Sequence, residues 1–256
     1  MKRSFVPAAP APTCRARRAT LITVLLAAAT AATAAGRPTA AADAVRPLQS
    51  AAVAAATPPT ILVLGDSISA GYGIALEQGW VALLQRRLAD QGYGYRVVNA
   101  SVSGETTTGG LNRLPRALAL HRPAIVIVEL GGNDGLRGLP LETTRDNLQR
   151  IVQLTRGARA RVLLVGMKIP PNYGPRYASG FEQIFSELAR RERLPLLPFF
   201  LDKVALTPGL MQADGIHPNA AGQPVLLANL WPVLLPLLRA TTARSEVASR
   251  PAAGAK

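Results

Sequence analysis

Short apolar runs that alternate with longer amphipathic stretches constrain this chain more than any other feature. The runs are Thr60–Leu64, Tyr95–Asn99, Ala124–Leu130, Arg161–Met167 and Leu194–Pro198. Segments such as AIVIVEL and RVLLVGM are apolar at nearly every position rather than at every second one, which suits strands shielded from water on both faces. Helix-period stretches at Gly79–Gln91, Glu142–Gly157, Phe181–Arg193 and Ala221–Arg239 can supply that shield, the last with Pro224 in its first turn. The alternation predicts an α/β fold, a three-layer α/β/α sandwich around a five-stranded parallel sheet of flavodoxin-like type. In such sheets the ligand crevice lies beyond the carboxyl ends of the strands, so chemistry is expected just after each run.

The chain has 256 residues and 48% hydrophobic content, enough to bury one core. Its net charge of +14 suggests a nucleic-acid partner until the charges are placed. Residues 1–57 hold seven Lys/Arg against one acid, 58–238 hold 18 against 13, and 239–256 hold four against one. The basicity therefore belongs mainly to the flanks. The middle has no Lys/Arg cluster interleaved with aromatics, which gives no reason to expect a nucleic-acid partner.

Residues 1–35 read as an export signal: Lys2, Arg3, Arg15, Arg17 and Arg18 precede the apolar run Leu21–Ala35, and Ala31, Thr33 and Ala35 offer A-x-A-like cleavage sites. An uncleaved anchor is the alternative, since the run approaches the roughly 20 residues of a spanning helix. The Ala/Thr-rich second half favours cleavage. The expected location is periplasmic or secreted, with no stable membrane span after processing. A flexible spacer is expected over 36–57, one folded domain over 58–240 and a disordered tail over 241–256. Cys14, the one cysteine, lies in the signal, so the processed chain has neither disulfides nor a thiol nucleophile. With two histidines, His121 and His217, and no HExxH or CxxC spacing, no metal site and no cofactor are expected.

The first run ends in LGDSISAGYG, which puts Ser67 in a strand-to-helix turn facing the crevice. A serine hydroxyl needs an adjacent base to act as a nucleophile; alone, Asp66 and Ser67 are equally good helix N-caps. His121 precedes a strand and falls at the amino end of the sheet, where a structural role is expected. His217, in MQADGIHPNAAG, follows the last strand on the crevice side. Asp214 lies three residues before it, and a turn at Gly215 brings that carboxylate to the imidazole, although an Asx-turn with a solvated histidine reads the same string. Candidate oxyanion donors also fall after strands: the backbone N–H groups of Ser67 and Gly104 and the side-chain amide of Asn133. SG and GGND are ordinary loop strings on their own. Their joint occurrence carries the argument.

Gly65-Asp66-Ser67, Gly104, Gly131-Gly132-Asn133-Asp134 and Asp214-Gly215-Ile216-His217 together resemble the four blocks of the SGNH (GDSL) hydrolase family. The longer strings ILVLGDSISAGYG, VVNASVSGETT, IVELGGNDGLRG, PPNYGPRY, PLLPFF and MQADGIHPN are similar to its bacterial multifunctional periplasmic group of acyl-CoA thioesterases, lysophospholipases and arylesterases. The resemblance covers about residues 60–235. It implies a serine ester and thioester hydrolase with Ser67 as nucleophile, His217 as base, Asp214 orienting it, and Ser67, Gly104 and Asn133 as the oxyanion hole. The partner is then a small-molecule acyl ester or thioester. Gly135, Leu136, Arg137, Asn172 and Tyr173 are expected to wall the acyl pocket, with Asp66 and Asp134 beside it and Asp134 bracing the Asn133 loop. Two rivals remain at this point: a short-chain acetyl esterase acting on envelope carbohydrate, and a non-catalytic binding module. GxSxG is absent, which argues against the α/β-hydrolase fold.

Overall fold

The computed structural model describes residues 57–249, with side chains through 239. The export signal, the spacer up to residue 56 and the last residues of the tail lie outside the described residues. In chain order the elements are β1 (Thr60–Gly65), α1 (Ser67–Ala70), α2 (Trp80–Asp90), β2 (Arg96–Asn99), α3 (Thr107–His121), β3 (Ile125–Glu129), α4 (Gly132–Leu136), α5 (Leu141–Gly157), β4 (Arg161–Val165), α6 (Pro175–Glu192), β5 (Leu196–Leu197) and α7 (Gln223–Ser249), with short 3-10 turns at Leu76–Gln78, Pro171–Tyr173 and Ala220–Gly222.

All five strands pair in parallel in the order β2-β1-β3-β4-β5, as the apolar runs predict. β1 and β3 are buried at every position and register Ile61 on Ile125 and Val63 on Ile127. Strands so continuously apolar are stable only when helices cover both faces. α2 packs against α7, and α3, α5 and α6 pack in a row, giving the two covering layers. Trp80 of α2 meets Phe200 edge-on at 5.4 Å, while Phe181 and Phe185 of α6 pair in the same way. The chain leaves β1 for the edge strand β2 and returns to β3 on the other side. That reversal opens a crevice beyond the carboxyl ends of β1 and β3.

Three elements depart from the periodicity reading. The helix α3 is absent from it because Gly109, Gly110 and Pro115 interrupt the pattern. A Cβ on Gly110 would lie 2.3 Å from Leu130 Cδ1, so the glycine lets the helix approach the end of β3; Thr106 caps its start by accepting from the Gly109 amide. The α6 helix begins at Pro175, not at Phe181, because a proline at the first helical position loses no hydrogen bond. The last helix continues to Ser249, where the sequence reads as tail: no glycine or proline lies between Thr241 and Ser249. The stretch Ala220–Arg239 is long and apolar enough to cross a membrane by length and composition. Here Leu226, Leu230, Leu234 and Leu238 are buried in the core.

Candidate active site

β1 ends at Gly65, and Asp66 turns the chain into α1. The Asp66 carboxylate accepts from the Ile68 amide at 3.1 Å, which caps the helix and leaves Ser67 as its first residue. Ser67 is 9% exposed, and its own amide has no acceptor among the described residues. The N-cap reading of GDS is thus realised by Asp66, and the Ser67 side chain takes no part in the cap.

The loop after β5 brings the histidine to this turn. Gly215 has φ 67, a conformation that favours glycine, and it folds Asp214 back so that Oδ1 accepts from the amides of Ile216 and His217 at 2.9 and 3.0 Å. Asp214 Oδ2 lies 2.6 Å from His217 Nδ1, and His217 Nε2 lies 2.8 Å from Ser67 Oγ. With its Nδ1 proton held on the carboxylate, the neutral imidazole leaves Nε2 to accept from the hydroxyl. The backbone bond from His217, its side-chain bond and the Ile216 amide pull the Asp214 carboxyl down to about 2. His121 sits at the last turn of α3, just before β3, at the opposite edge of the sheet.

The two further oxyanion candidates frame the same crevice. Gly104 has φ 77 and an amide with no acceptor among the described residues, while its carbonyl accepts from Arg137 Nη2 at 3.0 Å. Asn133, in the first turn of α4, donates to Asp66 Oδ2 at 3.3 Å. Arg113 binds the loops together: its guanidinium donates to the carbonyls of Gly65 and Ala100 and pairs with Glu105 at 2.7 Å. No sequence signal marked Arg113, since it lies in the helix that the glycines hid.

Three residues grouped with the acyl pocket are placed otherwise. Asp134 is fully buried and accepts from the Thr107 amide at 2.9 Å, from the Thr107 hydroxyl, and from Thr144 at 3.3 Å. It braces α3, α4 and α5 and cannot touch a substrate. Gly135 packs under Ile169 and Phe181, and Asp66 is 2% exposed, so both support the site from below. Arg137, Asn172 and Tyr173 are exposed and Leu136 is half-buried, and Tyr173 Oη donates to the Leu136 carbonyl at 2.7 Å, joining their two loops.

A second buried carboxyl went unnoticed in the sequence because it closes the apolar run AIVIVEL. Glu129 is fully buried and accepts from Ser69 Oγ at 2.6 Å and from the Asp66 amide at 3.4 Å. Burial, reinforced by the neighbouring Asp66, pushes its carboxyl well above the usual range. Burial likewise raises Asp66 to about 6, against lowering by the Ile68 bond, His217 and Asn133. A carboxyl that holds its proton more tightly when folded contributes stability below its unfolded value of 3.8, and that stability is lost as pH rises through about 6. Asp66→Asn should therefore shallow the fall in stability across this window in denaturant melts. An unchanged slope contradicts the assignment.

The GDSL-like Lipase/Acylhydrolase family model matches residues 63–225. Esterase TesA of Pseudomonas aeruginosa is 57% identical over 179 residues, covering 70% of this chain and 89% of that protein. Thioesterase 1/protease 1/lysophospholipase L1 of Escherichia coli K12 is 46% identical over 184 residues, covering 72% of this chain and 87% of that protein. Among solved structures, the psychrotrophic esterase EstA from Pseudoalteromonas sp., inhibited by monoethylphosphonate, is similar with a TM-score of 0.68 at 40% identity, covering 70% of this chain and 98% of that one. The matched region takes in the end of β1, the four other strands and the loop that carries Asp214 and His217, and the chain belongs to the GDSL-like lipase/acylhydrolase family.

Proposed function

We propose that this protein hydrolyses carboxylic esters and thioesters through an acyl-enzyme on Ser67. The observation that carries the reading is the continuous bonding from Ser67 Oγ through His217 to Asp214 at 2.8 and 2.6 Å. Ser67 attacks the acyl carbon as His217 Nε2 takes its proton; the bond to the leaving oxygen or sulfur breaks, and the leaving group departs with that proton. Water then attacks the acyl-serine, His217 receives a proton from it, and the acid leaves as the proton returns to Ser67. Asp214 holds the tautomer and stabilises the imidazolium of each step. The amides of Ser67 and Gly104 and the side chain of Asn133 receive the oxyanion, each worth about 3 kcal/mol in reactions of this type. Leu136, Arg137, Asn172 and Tyr173 wall the acyl site in this reading.

The substrates follow the similar proteins named above and the arylesterase group that the sequence resembles: acyl thioesters, lysophospholipids and aryl esters. Action in the periplasm or outside the cell belongs to the same proposal and rests on the pattern of residues 1–35. A hydrolysis profile across p-nitrophenyl esters and acyl-CoA thioesters of increasing chain length tests it. Turnover of both ester and thioester beyond acetyl is expected. Activity confined to acetyl esters would replace this reading with an acetyl esterase.

A further inference from the structure

The Ser67 and His217 turns lie 150 positions apart in the chain, and the hydroxyl–imidazole bond is not their sole connection. The Tyr72 amide donates to the Ser67 carbonyl at 3.0 Å. The Tyr72 carbonyl accepts from Gln212 Nε2 at 2.7 Å. The Gln212 amide donates to the His217 carbonyl at 2.8 Å, and its Nε2 also donates to the Pro218 carbonyl at 3.1 Å. Ser67, Tyr72, Gln212 and His217 thus form a closed circuit of hydrogen bonds. Gly73 makes room for it: a Cβ there would lie 2.2 Å from Gln212 Oε1. The Tyr72 ring lies beside the imidazole, with centroids 4.6 Å apart and planes tilted by 40°. That ring is half exposed, and its hydroxyl has no hydrogen bond among the described residues.

From this circuit we propose that Tyr72 and Gln212 are positioning residues that set the distance and ring orientation between the Ser67 hydroxyl and the His217 imidazole. The inference rests on the proposed serine mechanism. The His217 side of the site is a surface loop; without a second tie, its imidazole would have the freedom of that loop, and displacement of a reacting group by about 1 Å can cost as much as a hundredfold in rate. The Tyr72 ring serves the same end from the side, and its face favours the imidazolium that forms in each step. Neither residue exchanges a proton or touches a bond that breaks.

The test compares Tyr72→Ala, Tyr72→Phe, Gln212→Ala and Ser67→Ala on one p-nitrophenyl ester, with kcat and KM separated and a thermal melt for each. Tyr72→Ala and Gln212→Ala are expected to lower kcat about tenfold or more, with KM within about twofold of wild type, the signature of an interaction made in the transition state. Tyr72→Phe restores the rate, because the ring and the backbone bonds are retained. Alanine at 72 keeps both backbone bonds, so Tyr72→Ala reads the ring and Gln212→Ala reads the circuit; Tyr72→Ala/Gln212→Ala loses less than the product of the single losses, since both displace the same imidazole. Wild-type kcat in Tyr72→Ala overturns the inference, as does a loss carried by KM, which would make Tyr72 a substrate contact, or a Tyr72→Phe variant as poor as Tyr72→Ala. If Ser67→Ala keeps full activity, the serine mechanism itself has failed and takes this inference with it.

Discussion

Ser67→Ala is expected to lower kcat/KM by about 10⁴-fold or more while leaving the melting temperature within a few degrees of wild type, and His217→Ala to do the same. The Ser67 side chain has one bond, to His217 Nε2, so its loss removes the nucleophile and little packing. The double variant should be no worse than either single one, because the hydroxyl and the imidazole act as a unit and the oxyanion donors remain in both. Steady-state kinetics on one aryl ester checks all three. Multiplicative losses, or a Ser67→Ala variant within about tenfold of wild type, would show that the two residues do not share a proton transfer.

The second large effect is on stability. Asp134→Ala should cost about 3–5 kcal/mol, since hydrogen bonds to a charged group are worth about 1.5–3 kcal/mol each and buried donors left without an acceptor add to the loss. The carboxylate is fully buried and takes the Thr107 amide, the Thr107 hydroxyl and Thr144. Removing it leaves α3 and α5 without their common acceptor, and the Asn133 turn without its support. For a domain of this size the cost corresponds to a melting-temperature drop on the order of 10 °C. A drop below about 2 °C would contradict the bracing role.

What was readable in the chain divides along physical lines. Strands buried on both faces print themselves as unbroken apolar runs, so β1, β3 and β4 and the crevice beyond their ends follow from the pattern of the sequence alone. The residues that follow those runs, Ser67, Asn133 and His217, could then be placed without coordinates. Contacts that depend on local geometry left no such mark. The helix α3 is held by caps and close packing against Leu130 rather than by periodicity, and it concealed Arg113 and Thr107. Glu129 looked like the end of a strand and proves to be a buried acid beneath the nucleophile turn. Tyr72 and Gln212 are tied through backbone carbonyls, which any residue type offers. Asp66 and Asp134 were grouped with the substrate because proximity in sequence to Ser67 and Asn133 says nothing about which side of a turn a carboxylate takes.

The account stands on the imidazole at position 217 activating the hydroxyl at position 67. Intact-mass and peptide analysis after treatment with a serine-directed phosphonate reads this out. A single adduct is expected, on the peptide that contains Ser67, forming at a much lower rate in His217→Ala. An adduct on another serine, or labelling of His217→Ala at the wild-type rate, would contradict it.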